Sequence, residues 1–89
     1  MKYVLIAYDL KRPGRNYSEL YDKIKSFGDW MHPMESVWVI HVKDETTHKD
    51  VREGLKEKMD NNDSILVVDI SNAAYSGWLS TSFWELFKK

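Results

Sequence analysis

The sequence predicts an α+β fold, and three observations carry that prediction. Three short runs, Tyr3 to Tyr8, Ser36 to Val42 and Ser64 to Ile70, have the apolar, β-branched and aromatic content of strands. The stretches between them carry apolar residues at helical spacing. The chain has 89 residues, enough for one domain, with its core in residues 2–70 and an aromatic C-terminal extension in residues 73–89.

The first run is apolar at almost every position, as expected of a strand buried on both faces in the middle of a sheet. Asp9 ends it. Lys11-Arg12-Pro13-Gly14-Arg15 is a loop, because Pro and Gly interrupt regular structure and the charges favour water. Asn16 followed by Glu19 has the form of a capping box, and Tyr17, Leu20, Tyr21, Ile24 and Phe27 then trace one face of a helix that Gly28 stops. Trp30 to Met34 fits an edge strand or a loop, since Pro33 has no N–H for a central ladder. Thr46 or Thr47 caps a second helix with Asp50 near its start, and Val51, Leu55 and Met59 recur every fourth residue. Its Lys49, Glu53 and Lys56 are spaced to pair along a solvated side. Asn61-Asn62-Asp63 is turn chemistry. Beyond Ala73, residues 74–79 suit a short strand, and Ser82-Phe83-Trp84-Glu85 suits a capping box for a last helix, with Lys88-Lys89 after it.

Two strand–helix–strand units of this length suggest the ferredoxin-like βαββαβ sandwich, with both helices on one face of an antiparallel sheet. Right-handed crossovers place the first and third strands centrally and the second and fourth at the edges. The end of the first strand then lies beside the starts of the third and fourth. Asp9, Glu35 and Asp63 are thereby expected at one end of the sheet, together with the loop bearing Lys11, Arg12 and Arg15.

Composition limits the chemistry. Thirteen Lys and Arg against fourteen Asp and Glu leave a formal net charge of −1, so polyanion binding requires a local patch. The absence of Cys excludes disulfides, thiolate metal sites and Cys catalysis, and fits a reducing compartment. No run approaches the roughly 18 apolar residues of a membrane span, and charges interrupt the N-terminal run before a signal core is complete. A soluble, cytoplasmic protein is the expectation. His32, His41 and His48 lack the spacing of a zinc site. No Ser-His-Asp arrangement, phosphate loop or dinucleotide fingerprint is present.

Asp9 is the sharpest candidate for chemistry. A carboxylate at a strand end offers hard oxygens to Mg²⁺, and Glu35 and Asp63 are its candidate co-ligands. The competing role for Asp9 is to brace the loop, through an Asx-turn or by pairing with Lys11 or Arg12. Lys11, Arg12 and Arg15 are candidate phosphate or nucleic-acid contacts. Trp38, Trp78, Trp84, Tyr75 and Phe83 are expected to pack within the chain or across a dimer.

Tyr8-Asp9-Leu10 closing an apolar strand, a helix ending at Gly28, then Glu35-Ser36-Val37-Trp38 and Asp63-Ser64-Ile65-Leu66-Val67-Val68 together resemble the small CRISPR-associated adaptation protein, the second of its numbered series. The Trp30 region and the Trp-rich C-terminus are similar to that family's shorter SinR-like relatives. The resemblance implies a ferredoxin-like fold, a homodimer and an association with nucleic acid. Some members of that family are metal-dependent nucleases and others are scaffolds that hold DNA; Asp9 matches the family's metal-site residue and is the candidate catalytic residue should the chain be a Mg²⁺-dependent endonuclease. Against it, the first helix is Tyr-rich and mixed in charge where the family usually carries arginines. The alternative is a non-enzymatic SinR-like module, of phage or mobile-element origin, that binds a host protein or a nucleotide ligand.

Overall fold

The computed structural model describes residues 1–87; Lys88 and Lys89, the basic pair after the terminal aromatics, lie outside the described residues. The elements run β1 (Lys2–Asp9), α1 (Ser18–Ser26), β2 (Asp29–Met34), β3 (Val37–Val42), α2 (His48–Lys56), β4 (Ser64–Asp69) and α3 (Thr81–Leu86). The strands form one sheet in the order β2-β3-β1-β4, antiparallel at every pairing. This is the ferredoxin-like arrangement expected from the sequence. Asp9 pairs with Ser64, and the Tyr8 N–H donates to the Ser36 carbonyl, so the end of β1 meets the starts of β3 and β4.

Strand alternation sorts the apolar residues onto two faces. Val4, Ile6 and Tyr8 of β1 and Trp38, Ile40 and Val42 of β3 meet Leu20 and Ile24 of α1 and Val51 and Leu55 of α2 in the main core. On the opposite face Tyr3, Val39 and Met31 are covered by Phe83 and Phe87 from the α3 region. That cover is partial: Leu66 of β4 is 61% exposed, and Met34 and Val68 are also open to solvent. β2 is an edge strand whose register shifts between Met31 and Met34, at Pro33, which resolves the ambiguity of that stretch.

Several local expectations are corrected. Asn16 does not form a capping box; its Oδ1 accepts from the Ser18 N–H, and α1 begins after Tyr17 without a side-chain cap. Thr47 and Asp50 do form the reciprocal box on α2. Glu53 pairs with the adjacent Arg52 at 2.7 Å, and not with Lys49 or Lys56. Residues 74–79 are not a strand but an irregular segment over the second face. α3 is capped by Ser80, whose Oγ accepts from the Phe83 N–H, not by Ser82. Trp38 and Phe83 are buried as expected, but Trp78 is 99% exposed. No helix among the described residues is long and apolar enough to cross a membrane.

Candidate functional site

The topology does gather the predicted residues at one end of the sheet, but it assigns them to different faces. Asp9 follows Ala7 and Leu5 in alternation and points away from α1 and α2. Asp63 precedes Ser64, the partner of Asp9, and therefore turns toward the helices. Glu35 sits in the turn between β2 and β3, with its side chain exposed.

Asp63 is the one buried charged residue among those described, at 8% exposure. Its Oδ1 accepts from the Lys11 N–H at 2.7 Å and its Oδ2 from the Asp60 N–H at 2.8 Å. The Tyr17 hydroxyl bridges both oxygens at 3.0 and 2.9 Å. Burial pushes the Asp63 carboxyl up, but these donors and the nearby Arg15 charge outweigh it and hold the group below the usual carboxylate range. The same arrangement raises the Tyr17 phenol, through burial and its bond to Asp63. Asp63 thus ties the loop after β1 to the loop before β4.

The basic loop is fastened by a second carboxylate that the sequence reading did not single out. Asp60 accepts from Arg12 Nη1 at 3.2 Å and lies 3.6 Å from Arg15 Nη1. Arg15 Nη2 also donates to the Lys58 carbonyl at 3.2 Å. Asp9 pairs with Lys11 Nζ at 2.6 Å, which is the bracing role available to it from sequence. That pair is open, with the Asp9 side chain 66% exposed, and Asp9 raises the pKa of the Lys11 ammonium by hydrogen bond and charge. Arg12 also keeps more than half of its side-chain surface in solvent.

Glu35 contributes through its backbone. Its carbonyl accepts from the Tyr8 hydroxyl at 3.2 Å and lies 3.0 Å from His32 Nε2. Trp38 Nε1 donates to the Tyr8 oxygen at 3.0 Å, and burial raises the Tyr8 phenol. His32 stacks on Trp38 at 3.7 Å, and His41 stacks on Tyr3 at 4.3 Å. Trp38 faces the helices and Tyr3 the opposite side, which separates these two imidazoles.

Within one chain these residues do not fit a divalent-metal site. Both Asp63 oxygens carry donors, Asp9 turns to the other face, and no group of three or more His, Asp or Glu among the described residues stands close enough to hold an ion.

The family model for CRISPR associated protein Cas2 matches residues 1–77. The chain belongs to that family. The match spans all four strands and both helices of the main core, and it ends before α3. No curated protein and no solved structure matches the chain.

Proposed function

We propose that this chain is a homodimeric, nucleic-acid-associated scaffold of a CRISPR system that does not itself cleave. The observation that carries this reading is the commitment of Asp63: its carboxylate accepts from three donors, the Lys11 and Asp60 N–H groups and the Tyr17 hydroxyl, so that it holds two loops in place and each oxygen already carries a donor. Family membership supports the association with nucleic acid. Phosphate contact belongs to Lys11 and Arg12, whose heads remain open to water beside Asp9 and Asp60, while Arg15 stays with Lys58 and Asp60. A phosphate can exchange for a carboxylate at such exposed pairs, because each is weak on its own. The alternative of a SinR-like module that binds a host protein or a nucleotide ligand is non-cleaving as well.

The homodimer is supported by the open part of the second face. Leu66, Val68, Met34 and Trp78 leave apolar surface exposed there, which a second copy of the chain would cover. Light scattering at roughly tens of micromolar is expected to give twice the chain mass, and a monomer there contradicts the dimer.

A second reading is favoured by the exposure of Asp9: a Mg²⁺-dependent endonuclease in which a two-fold axis brings Asp9 from two chains together. One experiment separates the two. Labelled RNA and DNA are incubated with wild type and Asp9→Asn, with and without Mg²⁺ or Mn²⁺, and both binding and cleavage are followed. The scaffold reading expects metal-independent binding, intact strands and the same result for the variant. Metal-dependent cleavage that Asp9→Asn abolishes establishes the nuclease.

A further inference from the structure

The face of the sheet away from α1 and α2 carries both a hole and a knob. Strand register puts Leu5 of β1, Val39 of β3, Met34 of β2, and Leu66 and Val68 of β4 on this one face. The irregular segment 73–79 runs beside them, and a groove of about 350 Å³ opens between the segment and the sheet. Leu5, Val39 and Ile70 line it from the sheet, and Tyr75, Phe83 and Trp84 from the tail. Its size is at the lower end of the range that holds a ring-bearing ligand. No charged side chain lines it, so an apolar occupant fits and a charged one does not.

The tail's own aromatics hold that wall in place. Tyr75 stacks on Trp84 with centroids 6.1 Å apart, and Trp84 meets Phe83 edge-on at 5.1 Å. The knob is Trp78. It stands at the rim of the groove and is nonetheless 99% exposed. A foreign apolar ligand would fill the groove and leave this indole in water. A second copy of the chain covers both.

Knob and hole on one face are what a self-complementary, two-fold contact requires. Trp78, Leu66, Met34, Val68 and Tyr75 together expose roughly 600 Å² per chain, or about 1,200 Å² over a pair, the size at which stable interfaces begin.

We infer that Trp78 of each chain inserts into this groove of a second copy, so that two subunits exchange indoles across a two-fold axis. The inference deepens the homodimer reading and rests on it. Ser76 in the lining offers a hydroxyl to the indole N–H that burial would otherwise strand. Trp78 and α3 lie beyond residue 77, where the family match ends, so the contact belongs to this chain's own tail.

Sedimentation from about one to several tens of micromolar tests it, since mass action sets association there. Wild type is expected to dimerise. Trp78→Ala removes the knob and should raise the dimer dissociation constant about a hundredfold; Trp78→Phe, which still fills part of the hole, should lose less. Ala74→Glu puts a carboxylate in the lining of the hole and should weaken the dimer to a similar degree. Both positions are exposed, so the circular dichroism of each variant should match wild type. Trp78→Ala keeps an intact hole and Ala74→Glu an intact knob. An equal mixture of the two should therefore associate about tenfold more tightly than either variant alone. A dimer that both variants leave unchanged overturns the exchange, keeps the homodimer and gives the groove to another occupant. Weakening by each variant without recovery in the mixture also overturns the exchange. A monomeric wild type overturns the homodimer and the exchange together.

Discussion

The two ends of this sheet use charge in opposite ways. At the end of β1, Asp63, Asp60 and Asp9 each hold a donor from the basic loop, and the cations there are half-occupied by protein. At the start of β1, Lys25, Asp29 and His41 have no ion pair among the described residues; Lys25 lies over the Trp30 ring on the helix side, and His41 stacks on Tyr3 on the other face. A cluster of charged residues at a strand end is therefore not in itself a site. At the first end the groups neutralise one another and fix loops; at the second, aromatic rings and not carboxylates hold the cation and the imidazole. Local net charge does not distinguish the two ends; the hydrogen-bond inventory does.

The sharpest way to break this comparison is to remove the clasp. Asp63→Asn leaves a side chain with one acceptor oxygen and an NH₂ that cannot accept, so a backbone N–H or the Tyr17 hydroxyl faces a donor. A loss of about 3 kcal/mol in chemical denaturation is expected, in line with stranding a buried polar group among several partners. Wild-type stability in this variant would remove the structural role from Asp63. At the opposite end of the sheet the counterpart is Gly28→Ala, whose Cβ would stand 2.2 Å from the His41 carbonyl oxygen. It should cost about 2 kcal/mol and disturb the pairing of Asp29 with His41, read as lost amide protection at those strands. If Gly28→Ala folds normally with full protection, the close approach is not required.

Acid should sharpen the comparison further. Because the folded-state pKa of Asp63 is depressed, its contribution is present above the unfolded carboxylate value of about 3.9 and is lost as pH falls through the lower folded value. Wild type should lose stability steeply below about pH 4, and Asp63→Asn should show a flatter profile there. Parallel profiles would mean that Asp63 titrates alike in both states. Arg12→Ala should have a smaller effect: at most about 1 kcal/mol of stability, since its pair with Asp60 is exposed on the arginine side. If Arg12 contacts phosphate, the same variant lowers the salt slope of nucleic-acid binding by about one. An unchanged slope assigns Arg12 to the loop alone.

Much of the fold was legible because it rests on alternation and helical period. The runs at Tyr3, Ser36 and Ser64 each became a strand, and the order of elements was sufficient to place β1 and β3 in the centre. The tail was less legible. Ser80 and Ser82 offer the same cap chemistry two residues apart, and only the burial of Phe83 decides between them. The strand-end juxtaposition of Asp9 and Asp63 also followed from topology. Their separation onto two faces is set by the register of β1 against β4, which becomes visible once Asp9 is known to pair with Ser64. Asp60 was missed because a carboxylate before an Asn-rich turn carries no sequence mark of the two arginines it meets. The expected strand order would have brought the start of β2 beside the end of β3. The ambiguity that Pro33 gave to that stretch hid the pairing.

The central claim is that the carboxylates at the end of β1 serve the fold and not a metal. Thermal melting with added Mg²⁺ or Mn²⁺, for wild type, Asp9→Asn and Asp63→Asn, tests it most directly. The expected result is a wild-type melting temperature that divalent ions leave unmoved, an Asp9→Asn protein that melts with wild type, and an Asp63→Asn protein that melts at least about 10 °C lower, as a loss of about 3 kcal/mol implies for a domain of this size. A divalent-dependent rise of several degrees that Asp9→Asn abolishes, with Asp63→Asn melting normally, would contradict the claim and give the strand end to a metal.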